Sequence, residues 1–143
     1  MRTRVPKQVI ERFRRVPLFA HLSHRGLRAI AAAADELTEP AGNVLVREGE
    51  FRRELFVLAE GKAKVTRRGR RVTTLESGDF FGELSLLSGG PRTATVTAET
   101  DVSVMMLTPQ QFEMVLQREP AVLRAVLKAL GDRLQELQKA VLA

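Results

Sequence analysis

Cysteine is absent from the 143 residues, as are tryptophan and tyrosine. With no thiol, the chain has no disulfide, no thiolate nucleophile and no Cys-ligated zinc or iron–sulfur centre. The two histidines, His21 and His24, stand beside an expected helix start without carboxylates at metal-ligand spacing. They read as surface or capping residues, and no metal site is expected. The longest unbroken apolar run, Ala29–Ala34, has six residues, far short of the ~20 that a membrane-spanning helix needs. The basic start (Arg2, Arg4, Lys7) is not followed by an apolar stretch of signal-peptide length. The expectation is a cytoplasmic protein, or a cytoplasmic piece of a larger one, with no membrane segment. No GxxxxGK motif ending in Ser or Thr occurs, and no GxGxxG, HExxH or GxSxG. No nucleophile, base and orienter can be assembled from the sequence, so catalysis is not expected.

Apolar residues make up 44% of the chain and charged residues 28%, the balance of an ordinary globular protein. The length suits about one domain with its own core. Lys and Arg outnumber Asp and Glu by 23 to 17, a net charge of +6, and 18 of the 23 are arginine. Such an excess points to anionic partners: nucleic acid, anionic lipid or a phosphate-bearing small molecule. Only Arg67, Arg68, Arg70 and Arg71 cluster tightly, around Gly69. With no aromatic residue interleaved for base stacking, that cluster reads as a solvated hairpin tip.

The first forty residues read as helical. Val9, Ile10 and Phe13 recur among charges in 5–16, and Pro17 stops that helix. Ser23 is placed to cap a second helix whose Leu27, Ile30, Ala31 and Ala34 share a face. From Leu37 to Leu107 short apolar runs alternate with glycines: Val44–Val46, Leu55–Ala59, Ala63–Thr66, Val72–Leu75, Ala94–Ala98 and Val102–Leu107. These predict an antiparallel barrel or sandwich. Thr108-Pro109-Gln110-Gln111 has the form of a capping box opening a helix. After Pro120, Leu123, Leu127, Leu130, Leu134, Leu137 and Val141 step by 4, 3, 4, 3, 4. That seam suits either a helix laid on the barrel or a lid or dimer helix. The layout is a single unit spanning 1–143: helices over about 5–35, β structure over about 37–107 and helices over about 109–142.

The stretch from Gly78 to Val96 carries the chemistry. A short helical piece, Glu83–Leu87, is opened by Gly82 between two strands. Orphan N–H groups at such an opening suit an anion, and glycine lets a ligand approach the backbone. Arg92, just before a strand, offers a planar fork matched to phosphate. Glu83 fits if the ligand also carries a hydroxyl donor, for which a carboxylate is the natural acceptor.

The run FGELSLL, then SGG, then PRTATV (81–96) resembles the phosphate-binding cassette of the cyclic-nucleotide-binding domain family. The similarity extends to Val16-Pro17-Leu18-Phe19, Arg47-Glu48-Gly49-Glu50, Leu55-Phe56-Val57-Leu58, Gly61 and Gly78-Asp79-Phe80. It implies a mainly β fold: an eight-stranded antiparallel, jelly-roll-like β-roll with N-terminal helices and two C-terminal helices. By the same resemblance Arg92 would pair with the cyclic phosphate and Glu83 would accept from the ribose 2′-hydroxyl. Gly82 and Leu84 would give backbone contacts, and Thr93 would reach phosphate or base. Ser85 stands where many members have Ala, and Val65, Val72 and Leu75 would line the base pocket. Arg133 aligns loosely with an arginine that caps the base. The implied ligand is cAMP, with cGMP as the alternative, and no cofactor is expected. The C-terminal helix would respond to ligand and could form a weak homodimer; the effector is not legible. The chain ends at Ala143, where one branch of the family continues into a helix-turn-helix, so direct DNA binding is not expected. The rival readings are a fold-keeping protein that binds no nucleotide and a basic nucleic-acid-interacting protein.

Overall fold

In the computed structural model, residues 5–142 are described; Arg2 and Arg4 of the basic start and Ala143 lie outside them. The elements are α1 (Lys7–Arg14), a 3-10 turn (Pro17–Phe19), α2 (His24–Ala33), β1 (Asp35–Glu39), β2 (Val44–Val46), β3 (Leu55–Glu60), β4 (Ala63–Arg67) and β5 (Arg70–Leu75). β6 (Phe80–Phe81), α3 (Ser85–Ser88), β7 (Thr95–Ala98), β8 (Val102–Leu107), α4 (Pro109–Arg118) and α5 (Pro120–Leu142) follow. The strands form two four-stranded sheets, ordered β1-β8-β3-β6 and β2-β7-β4-β5, and every pairing is antiparallel. This is the expected β-roll.

The expected helix starts are present. Ser23 caps α2 by accepting from the Gly26 N–H, and Thr108 and Gln111 exchange both bonds of the capping box at α4. The loose reading of the first forty residues as helical is corrected at Asp35–Glu39, which is strand and begins two residues ahead of the β boundary expected at about 37. Its sequence, DELTE, carries one apolar residue, because an edge strand can be held by backbone pairing alone; every residue of β1 is registered against β8. β6 is only two residues long and gives no periodic signal.

β3 and β8 lie at the centre of their sheet, and both of their faces are covered. Phe56, Leu58, Val102 and Val104 pack into the roll interior with Val46, Ala63, Val96 and Ala98. Leu55, Val57, Met105 and Leu107 point the other way, into a second cluster with Phe13, Phe19, Leu27, Ile30, Phe112 and Val122 from the helices. A strand buried on both sides reads as a continuous apolar run, and LFVLA at 55–59 does. The turn after β3 needs glycine: Gly61 has φ +94°, and a Cβ there would meet the Asp101 carbonyl oxygen.

α5 does not pack through its leucine seam. Val122 and Val126 are buried, with Ala125 and Leu130 partly so, whereas Leu123, Leu127, Leu134, Leu137 and Val141 are exposed. From Leu134 to Val141 every residue is exposed, so the helix makes its last anchoring contacts at Asp132 and Arg133. Asp132 Oδ2 lies 2.7 Å from His21 Nε2. That hydrogen bond, helped by Lys128, holds the Asp132 carboxyl below the usual carboxylate range. The two faces predict opposite mutational outcomes. Val126→Ala should lower stability by about 2 kcal/mol, from lost burial plus a residual cavity. Leu134→Ala should stay within ~0.5 kcal/mol of the unaltered protein. Urea unfolding midpoints measure both; a larger loss at Leu134 would mean that the seam is covered.

Candidate functional site

A cavity of about 450 Å³ opens between the β2-β7-β4-β5 sheet and the loop that carries α3. It falls within the size range of small-molecule sites. Its wall includes Val65 and Leu75 from the sheet and Gly82, Glu83, Leu84, Ser85, Arg92 and Thr93 from the cassette. Eight of the ten residues expected at the site are therefore brought together, from positions up to 28 apart in the chain.

Two are not. Val72 is 53% exposed and lies outside the cavity wall. The β4–β5 pairing places Val65 opposite Thr73 and Thr66 opposite Arg71, so Val72 is the extra residue of a β-bulge and does not take the pocket position that the family resemblance implied. Arg133 is not on the cavity wall either. Its Nη2 donates to Glu83 Oε1 at 2.9 Å, drawn there by a carboxylate with little access to water.

Glu83 is 6% exposed. Its Oε2 accepts from the Leu18 N–H at 2.6 Å, so one carboxylate ties the 3-10 turn, α5 and the cassette together. Each oxygen retains a second lone-pair direction, so a hydroxyl donor arriving from the cavity can still be accepted.

Arg92 is also 6% exposed. Its backbone is fixed on the 47–50 turn, donating to the Glu50 carbonyl and accepting from the Gly49 N–H, both at 2.8 Å. Its Nη2 donates to the Glu54 carbonyl at 2.6 Å and lies 3.6 Å from Glu54 Oε1. The guanidinium carbon sits 6.0 Å from the Phe56 ring centroid, and Phe56 stacks on Phe81 at 4.9 Å. Burial lowers the Arg92 pKa from its ordinary value, and the Glu54 carboxylate opposes that; an arginine in this setting remains charged. Among the described residues Arg92 Nε finds no acceptor. A buried donor left unpaired costs free energy, which marks the place for an external acceptor.

Gly82 keeps this approach open. It has φ +85°, and a Cβ there would run into Arg92 Nη1 and the Glu54 carbonyl. Within the cassette, Leu86 N donates to the Gly82 carbonyl and Ser88 N to that of Leu84. The N–H groups ahead of Leu86 are the orphan donors of a helix start. The helical piece itself is Ser85–Ser88, two residues later than the sequence suggests at its start.

Two contributors escaped sequence reasoning. Glu54, which positions Arg92, carries no local signal, since its partner is 38 residues away. Arg67 lines the cavity as well. Its signal was present in the alternation Ala63, Val65, Arg67 along β4, which puts all three on one face.

Comparison with known proteins gives the same outline. A family model described as the cyclic nucleotide-binding domain matches residues 37–119. A cyclic nucleotide-gated potassium channel of Rhizobium etli is 36% identical over 118 residues, which are 82% of this chain and 33% of the channel. The cAMP-dependent protein kinase regulatory subunit of Neurospora crassa is 33% identical over 125 residues, 86% of this chain and 32% of the subunit. The chain thus spans about a third of the length of these curated relatives. Among solved structures, the N-terminal domain of a transcriptional regulator from Streptomyces coelicolor superposes with a TM-score of 0.85 at 35% identity. That match covers 90% of this chain and 96% of the other. With its β-roll, its cassette and its matching sequence over residues 37–119, the chain belongs to the cyclic nucleotide-binding domain family.

Proposed function

We propose that the cavity binds a cyclic nucleotide monophosphate, cAMP in preference to cGMP, and that α5 carries the response. The observation behind this reading is the buried Arg92, whose Nε lacks a partner among the described residues, on the same cavity wall as the buried Glu83. The ligand that suits this pair carries a phosphate for the guanidinium and a hydroxyl donor for the carboxylate. Arg92, held by Glu54 and the Phe56 face, meets the cyclic phosphate together with the N–H groups of the cassette opening. Glu83 accepts the ribose 2′-hydroxyl. Val65 and Leu75 offer an apolar wall to the base, and Thr93 reaches the phosphate or the base. The Neurospora relative, named for cAMP dependence, supports the preference. No catalytic step is assigned to the site.

Glu83 gives the ligand a route to α5. The carboxylate that would receive the ribose is the one that Arg133 holds. A ligand hydroxyl that donates to Glu83 changes the bonding of the carboxylate and hence the energy of that contact, and the coupling acts equally in both directions. The exposed seam of α5 would then meet a second copy of the chain, in a weak dimer because it spans fewer than three heptads. A sedimentation profile that stays monomeric with and without cAMP would remove that dimer.

Isothermal titration calorimetry with cAMP and cGMP tests the binding reading. Arg92→Ala should weaken cAMP at least about tenfold, since charge-assisted bonds contribute ~1.5–3 kcal/mol each, and Arg92→Lys should weaken it less. Glu83→Gln should weaken cAMP while changing the affinity for 2′-deoxy-cAMP little. No heat with either nucleotide would favour the fold-keeping reading, and steeply salt-dependent DNA binding the nucleic-acid one. The helix response is read by amide hydrogen exchange: saturating cAMP should change protection in α5 around Arg133. Arg133→Met should raise exchange there without ligand and shrink the ligand-dependent difference. Equal exchange with and without cAMP would detach α5 from the site.

A further inference from the structure

The cavity holds a second guanidinium, and its charge is unanswered. Arg67 ends β4 on the same face as Ala63 and Val65, and that face turns it into the cavity. Its Nε donates to the Thr93 carbonyl at 3.0 Å, which fixes the head group beside the residue that follows Arg92. The other charged groups on the wall have ionic partners, although the Glu54 carboxylate beside Arg92 is shared with Arg52, 3.1 Å away. Arg92 lies 3.6 Å from the Glu54 carboxylate, and Glu83 pairs with Arg133 at 2.9 Å. Among the described residues no carboxylate lies within 4.0 Å of the Arg67 guanidinium. Glu48, on the neighbouring turn, accepts from the Arg68 backbone N–H instead, and Arg71 pairs with Glu99. Arg67 thus offers an incoming anion a positive charge that no carboxylate answers, and among the described residues its Nη groups have no acceptor.

We propose that Arg67 is a second phosphate-recognition residue of this site. Arg92 is buried and pre-positioned, so it supplies directed hydrogen bonds. Arg67 is exposed and unbalanced, so it supplies net attraction, and its anchor on Thr93 keeps that charge at the cavity. The inference rests on the nucleotide reading above. It gives the two arginines different signatures: attraction by an exposed charge fades with salt, because the screening length falls from about 30 Å at 0.01 M to about 3 Å at 1 M.

The test measures cAMP and cGMP affinities of the unaltered chain, Arg67→Gln and Arg67→Lys at about 10 mM and about 1 M salt. Arg67→Gln should weaken both nucleotides about tenfold at low salt and about twofold or less at high salt, with Arg67→Lys keeping most of the low-salt affinity. Thermal unfolding should be unchanged, since Arg67 is exposed at the end of its strand. If the unaltered chain binds and Arg67→Gln binds equally at both salts, the role of Arg67 is overturned and the nucleotide reading stands. A loss confined to cGMP also overturns it, because the partner would then be the guanine edge. If the unaltered chain binds neither nucleotide, both fall.

Discussion

A carboxylate removed from water must find donors, and Glu83 finds them on two distant elements. The Leu18 N–H comes from 65 residues before it and the Arg133 guanidinium from 50 residues after it. These bonds bring the entry turn, the cassette and the C-terminal helix to one point. Beyond that point α5 has no buried residue among those described, so its attachment to the body depends on Glu83, on the His21–Asp132 contact and on the apolar patch of Val122 and Val126. A buried charge that loses its partner is far more costly than an exposed one. Anything that alters the bonding of this carboxylate is therefore felt along the helix.

Arg92 is the opposite charge on the same cavity wall, yet the two do not neutralise each other. Arg92 is held by Glu54, whose carboxylate also pairs with Arg52, and is supported by Phe56, and Glu83 is paired with Arg133. Had they paired directly, a ligand would have to separate them before using either. With independent partners, both can be held in place and still accept a ligand that is an anion at one end and a hydroxyl donor at the other. Preorganised groups of this kind bind without a reorganisation cost.

The β-roll makes this arrangement stiff. β3 and β8 are packed on both faces, so the roll interior and the helical cluster share one wall. The backbone of Arg92 is hydrogen-bonded to the 47–50 turn, and that of Gly78 to the Leu58 carbonyl of β3. The cassette loop is thereby pinned at one end to β3 and at the other to the 47–50 turn, while its middle, including the exposed Leu84, faces the cavity.

Much of this was written locally. The caps at Ser23 and Thr108, the two-sided apolar strands and the alternation at 94–98 follow from hydrogen-bonding and burial rules that act over a few residues. The cassette from Phe81 to Val96 is contiguous, so its resemblance to a known family could be read directly. The edge strand Asp35–Glu39 was not legible, because its pairing is carried by backbone groups that every sequence shares. Nor was the bulge that turns Val72 outward, since one extra residue in a strand leaves no compositional trace. The partners of the site's charges were likewise hidden. Which donor reaches Glu83, which carbonyl holds Arg92 and which face of α5 is covered are matters of distance between segments remote in sequence. By itself the sequence determined the elements and the chemistry of the cassette. Only the tertiary structure decided which charges are balanced, because an ion pair depends on separation in space.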